Sequence, residues 1–146
     1  MLGVDDDESY VESIVAAMRA NAESATIQTL GLRTLSRLAR VEKTALFLIE
    51  NGTIRQALQA IAQNSSDEAA TIAALELLNT LCLTDAGANE TAKQSGFEVI
   101  VDVIYAHPES DEVRTHLHRL RGVRIPCVAL AQTPLLSLRL RRPRSN

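Results

Sequence analysis

"LGLRTLSRL" runs from Leu30 to Leu38 and "ALELLNTL" from Ala74 to Leu81, and the leucines of the two stretches share one internal spacing: Leu32, Leu35 and Leu38, then Leu75, Leu78 and Leu81, 43 residues later. Leucines three apart drift slowly around a helix and so give it a broad apolar face. The same face presented at a fixed period predicts helical units that bury it against one another.

A second set of positions keeps the period. Val11, Ile14, Val15 and Met18 form an amphipathic stripe, Ile54, Ala57, Leu58 and Ile61 repeat it after 43 residues, and Phe97, Ile100, Val101 and Ile104 repeat it after 43 more. Each of these helices leads into a polar link rich in helix-start residues: "NAES" at Asn21 to Ser24, "NSSDE" at Asn64 to Glu68 and "HPESDE" at His107 to Glu112. Ser65 and Glu68 have capping-box spacing, which places a helix start at Ser65. "EKTALFLIENG" reads as a short helix stopped by Asn51 and Gly52, and "NETAKQSG" as its counterpart stopped by Gly96, with glycine closing each helix in the left-handed conformation. One unit of about 43 residues is therefore short helix, glycine, medium helix, polar turn and long helix.

The third long helix departs from this register. Leu117 and Leu120 come one residue early relative to Asp111, with Val123 as the next apolar step. Beyond Gly122 the pattern dissolves into "VRIPCVALAQTPLLSLRLRRPRSN", where Pro126 and Pro134 interrupt any long helix. Residues 122–146 are expected to be a basic, poorly ordered tail; a linker, a partner-binding extension and sequence introduced by altered splicing or frame are the alternatives.

Composition agrees with helices packed through aliphatic ridges. The 146 residues include two Tyr, two Phe and no Trp, and Ala and Leu dominate. The formal net charge of -3 conceals an asymmetry: residues 1–112 hold all 18 acids against 7 bases, whereas residues 113–146 hold 8 Arg and no acid. Cys82 and Cys127 have no paired spacing, which fits a reduced, intracellular chain, cytoplasmic or nuclear. Asp5, Asp6, Asp7 and Glu8 stand where a signal peptide would be basic and then apolar. The longest uncharged stretch, Ile125 to Leu138, is 14 residues long and broken by two prolines, too short to cross a bilayer as a helix.

With these residues in view the chain resembles an armadillo repeat array. "ETAKQSGFEVIVDVIYAHPESDEV" is similar to that family's short first helix, glycine, second helix and acidic turn, while "ATIQTLGLRTLSRLA" and "AATIAALELLNTLC" are similar to its long third helix. The resemblance covers roughly residues 8–121. It implies an all-α fold, a right-handed alpha-alpha superhelix (armadillo-like solenoid) with about two full repeats plus partial terminal repeats.

The resemblance also implies a site. In such arrays the long third helices line a concave groove that binds extended peptides, and nuclear-import members place Trp and Asn there. The matching positions here are Arg33 and Arg37 in the first long helix and Glu76 and Thr80 in the second, so the asparagine ladder for nuclear-localisation signals is absent. In its place Arg33, Arg37 and Arg40 follow i, i+4, i+7 spacing, which aligns guanidiniums able to bind carboxylates or phosphates. The candidate partner-binding groove is Arg33, Arg37, Arg40, Glu76, Asn79 and Thr80, suited to an acidic or extended peptide of a protein partner. The plainer alternative is a solvated face paired with acids of neighbouring helices.

No catalytic constellation emerges, and no cofactor or metal is implied. His116 and His118, two apart on a helix, point to different sides and are expected at the surface, without a Cys or carboxylate cluster at metal spacing. Cys82 reads as a small buried hydrophobe, having no neighbouring base. The six glycines stand singly, with no phosphate loop among them. Arg139, Arg141, Arg142 and Arg144 form a basic cluster expected to be a solvated tail; contact with nucleic acid or an anionic membrane is the lesser alternative, and no aromatic residue interleaves the cluster for single-strand recognition. Three functions follow in order: an interaction module that is not an enzyme, a truncated array that self-associates through uncapped repeat ends, and an adaptor acting through the basic tail.

Overall fold

The computed structural model describes residues 4–94 and 96–122. Within them the chain forms eight helices and no strand: α1 (Val4–Ala20), α2 (Ala25–Leu38), α3 (Glu42–Glu50), α4 (Thr53–Gln63), α5 (Glu68–Leu81), α6 (Asp85–Lys93), α7 (Gly96–Ala106) and α8 (Asp111–Gly122). The tail expected over 122–146, with its arginine cluster and Cys127, lies beyond the described side chains, as do those of Phe97, Ile100, Val101 and Ile104.

The repeat is visible first in the caps. The Ser24 side chain accepts from the Ile27 N–H at 3.4 Å, Asp67 from the Ala70 N–H at 2.9 Å and the Ser110 hydroxyl from the Val113 N–H at 3.2 Å. Each satisfies one of the orphan donors at a helix start, and the three caps stand 43 residues apart. The capping box expected from Ser65 and Glu68 does not form. Residues 64–66 are spent on a turn closed by Asp67 N–H to the Asn64 carbonyl (2.9 Å), so the extended residue that caps α5 is Asp67, and Glu68 instead accepts from the Ser110 hydroxyl of the next unit.

One glycine stop is as expected and the other is not. Gly52 has φ 78°, the left-handed conformation that separates α3 from α4. Gly96 has no positive φ and opens α7 instead; it is held beside Thr91, whose side chain and carbonyl leave no room for a Cβ.

Two three-helix units, α3–α5 and α6–α8, follow the leading pair α1–α2. The long helices stack in order: α2 packs on α5 and α5 on α8, while α4 packs on both α5 and α7. Leu32, Leu35, Leu75, Leu78 and Leu81 are fully buried, and Leu38 is half-buried against the same core. Val11 and Met18 are buried with Ile14 and Val15 partly so, and Ile54, Ala57, Leu58 and Ile61 are all buried. The spine is therefore a continuous aliphatic cluster running through the units.

The early leucines of α8 are explained by its cap. Because Ser110 holds the register of Asp67, Leu117 and Leu120 occupy the positions of Ala74 and Leu77, not of Leu75 and Leu78. One residue is about 100° of rotation on a helix. The face that α8 buries, Val113, Leu117 and Leu120, is thus turned toward the neighbours it packs on, α5 and α7. The position equivalent to Leu75 is His118, which is exposed.

Candidate functional site

A groove of about 470 Å³ crosses the stacked long helices, lined by Arg33, Ser36, Arg37, Arg40, Glu76, Asn79, Thr80, His116 and Arg119. All six residues expected from the sequence line it. Arg33 and Arg37 project from α2; Arg40 stands in the turn after the α2 cap Ala39, so it joins the pair from beyond the helix rather than from its face. Glu76, Asn79 and Thr80 come from α5, and α8 supplies His116 and Arg119.

Three lining residues escaped the sequence reading. Arg119 was legible, since it follows Glu76 by 43 residues just as Glu76 follows Arg33; Ser36 precedes Asn79 by the same interval. His116 was not, because its counterpart in α5 is Ala73, a fully buried residue. The imidazole is too large for that alanine site and reaches the groove wall.

His116 consequently corrects the expectation of a surface histidine. It is 9% exposed, whereas His118 is exposed and His107 is half-buried, with Nε2 3.5 Å from the Thr71 hydroxyl. The Asn79 amide Nδ2 donates to the His116 carbonyl at 3.1 Å and lies 3.4 Å from His116 Nδ1. The other ring nitrogen, Nε2, lies 3.8 Å from a Glu76 carboxylate oxygen. Asn79 therefore ties α5 to α8, and its donor is engaged within the fold. The Thr80 hydroxyl is likewise spent, donating to the Glu76 carbonyl of its own helix at 3.0 Å.

Burial pushes the His116 pKa below its ordinary value; Glu76 and Glu112 oppose that shift and Arg119 adds to it. As pH falls, the unfolded chain then takes up this proton before the folded one does. The stability associated with neutral His116 is complete above the ordinary imidazole value of 6.5 and is lost as pH drops through it toward the lower folded-state value. The urea midpoint is expected to fall between about pH 7.5 and 5.5, and to fall less in His116→Gln. Equal slopes in both proteins would show that another group is responsible.

The electrostatics of the groove are lopsided. Arg33, Arg37, Arg40 and Arg119 are exposed, and among the described residues none of them forms an ion pair or hydrogen bond through its side chain. The single carboxylate on the wall is Glu76, directed at His116. Cys82 is buried, its thiol 3.2 Å from the Thr91 hydroxyl, and burial raises its pKa, which suits packing and not nucleophilic chemistry. Among the described residues no cluster of His, Cys, Asp or Glu could hold a metal, and no helix is long and apolar enough to cross a membrane.

The family model described as the GAC ARM domain matches residues 8–132, a span that begins in α1 and continues past α8. No curated protein and no solved structure matches the chain significantly. Stacked helical units with a capped 43-residue period and a model match over most of the length lead to one assignment: the chain belongs to the GAC ARM domain family, an ARM-type helical repeat domain.

Proposed function

We propose that the domain is a non-catalytic interaction module whose groove captures an extended acidic segment of a partner protein. The observation that carries this reading is the set of four arginines lining one groove with no counter-ion of their own among the described residues. Exposed pairs are individually worth about 0.2–1 kcal/mol, so useful affinity needs several at once, which a groove spanning three long helices can supply. ARM-type repeats typically mediate protein binding, and a solenoid's long surface suits extended ligands.

The test is capture of a fluorescent hexaglutamate peptide, followed by anisotropy at low and physiological salt. Binding is expected to weaken with salt, because the contacts are exposed. The triple reversal Arg33→Glu, Arg37→Glu, Arg40→Glu is expected to reduce affinity by at least about tenfold. Its circular dichroism should match wild type, since none of the three side chains holds the fold together. Undiminished capture by the triple variant refutes the assignment.

A further inference from the structure

The groove does not end at Arg40 and Thr80. Both residues also line a second cavity of about 770 Å³, so the two spaces adjoin. The second adds two exposed leucines, Leu46 and Leu83, to a lining that also holds Arg40 and the carboxylates of Glu42 and Asp85.

Leu83 is the telling residue. It is 77% exposed and sits between Cys82, the cap that ends α5, and Thr84, the cap that starts α6. Neither packing nor capping uses its side chain. Its equivalent one repeat earlier is Arg40, so a basic position in one unit has become aliphatic in the next, and both face the same cavity. Leu46, 40% exposed on α3, shares the chamber with Leu83. Single exposed leucines are ordinary, but two lining one concave space beside a charged groove offer an aliphatic contact to a ligand held in that groove. Glu42 and Asp85 meanwhile repel further carboxylates, which confines the acidic part of a ligand to the arginine wall.

We propose that the binding surface is bipartite: it accepts an acidic segment flanked by a large aliphatic side chain, the carboxylates lying along Arg33, Arg37 and Arg119 and the aliphatic group seated against Leu46 and Leu83. This inference rests on the acidic-segment reading above. It adds a specificity element that charge alone lacks, because the aliphatic seat selects among acidic sequences by what stands next to the charges.

The experiment uses the full chain and hexaglutamate peptides carrying one leucine at either end, separated from the glutamates by one to four glycines, beside matched alanine and lysine peptides. At one or more placements the leucine peptide is expected to bind about tenfold more tightly than its alanine match. The double variant Leu46→Ser, Leu83→Ser should erase that gain and leave plain hexaglutamate binding unchanged, with unaltered circular dichroism. If leucine gives no gain at any placement while hexaglutamate binding still depends on the arginines, the aliphatic seat is wrong and the acidic groove stands. If lysine gives the gain, Glu42 and Asp85 define the chamber and the aliphatic assignment is overturned. If hexaglutamate does not bind at all, both readings fall together.

Discussion

Gly87→Ala is expected to destabilise the domain by about 3 kcal/mol or more and to lower its Tm by roughly 10 °C or more. Gly87 lies in the first turn of α6, where its N–H donates to the Thr84 cap at 3.0 Å. The chain has just left α5, and the Leu81 carbonyl accepts from both the Thr84 N–H at 3.2 Å and the Thr84 hydroxyl at 2.8 Å. That carbonyl lies directly over Gly87: a Cβ there would come within 2.5 Å of the Leu81 carbonyl carbon and closer still to its oxygen. Helix propensity favours alanine by only about 1 kcal/mol, far less than the clash. Because the obstacle is backbone and not a side-chain tip, relief requires α6 to move off α5. Gly52→Ala is the informative comparison, since its positive φ is strained for alanine but no atom lies within 4 Å of the new Cβ. It should cost about 1 kcal/mol. Equal losses in the two variants, measured by thermal and urea unfolding, would contradict the close approach of α5 and α6.

Leu78→Ala is the second large effect, expected at about 2–5 kcal/mol. Leu78 is fully buried on α5, the helix that touches α2, α4, α6 and α8 and so links the units on either side. A domain of this size has about 5–15 kcal/mol of total stability, so one truncated leucine removes a large share of it. In a stacked array each unit is stable only through its neighbours, and damage to the central helix is felt by both. Leu38→Ala, at the half-buried member of the earlier trio, should cost distinctly less. Leu83→Ala, at an exposed position, should stay within about 0.5 kcal/mol. A loss below about 1 kcal/mol for Leu78→Ala in urea unfolding would mean that the leucine spine does not hold the units together.

Most of the fold was legible because it depends on short-range periodicity. The trios, the α1 and α4 stripes and the left-handed Gly52 each follow from residues a few positions apart, and all are seen in place. The failures came where a local signal had more than one reading. Ser65 with Glu68 has the spacing of a capping box, yet Asp67 is the residue left extended once the turn after α4 is closed. Gly96 has the look of a helix stop, but Thr91 crowds it and the chain there turns into α7. Leu117 and Leu120 look like a slipped trio, whereas the Ser110 cap shows them to lie on another face of an unslipped helix.

The site divides in the same way. The sequence by itself determined which side chains could share a wall, because a fixed period of 43 residues maps Arg33, Glu76 and Arg119 onto equivalent points of successive helices. Only the tertiary structure decided what each does there. Whether Asn79 is free or tied to His116, whether a histidine is buried or exposed, and whether Arg40 and Leu83 open onto one cavity depend on the distance and angle between packed helices. Periodicity sets a residue's direction from its own helix axis; packing alone sets what it meets.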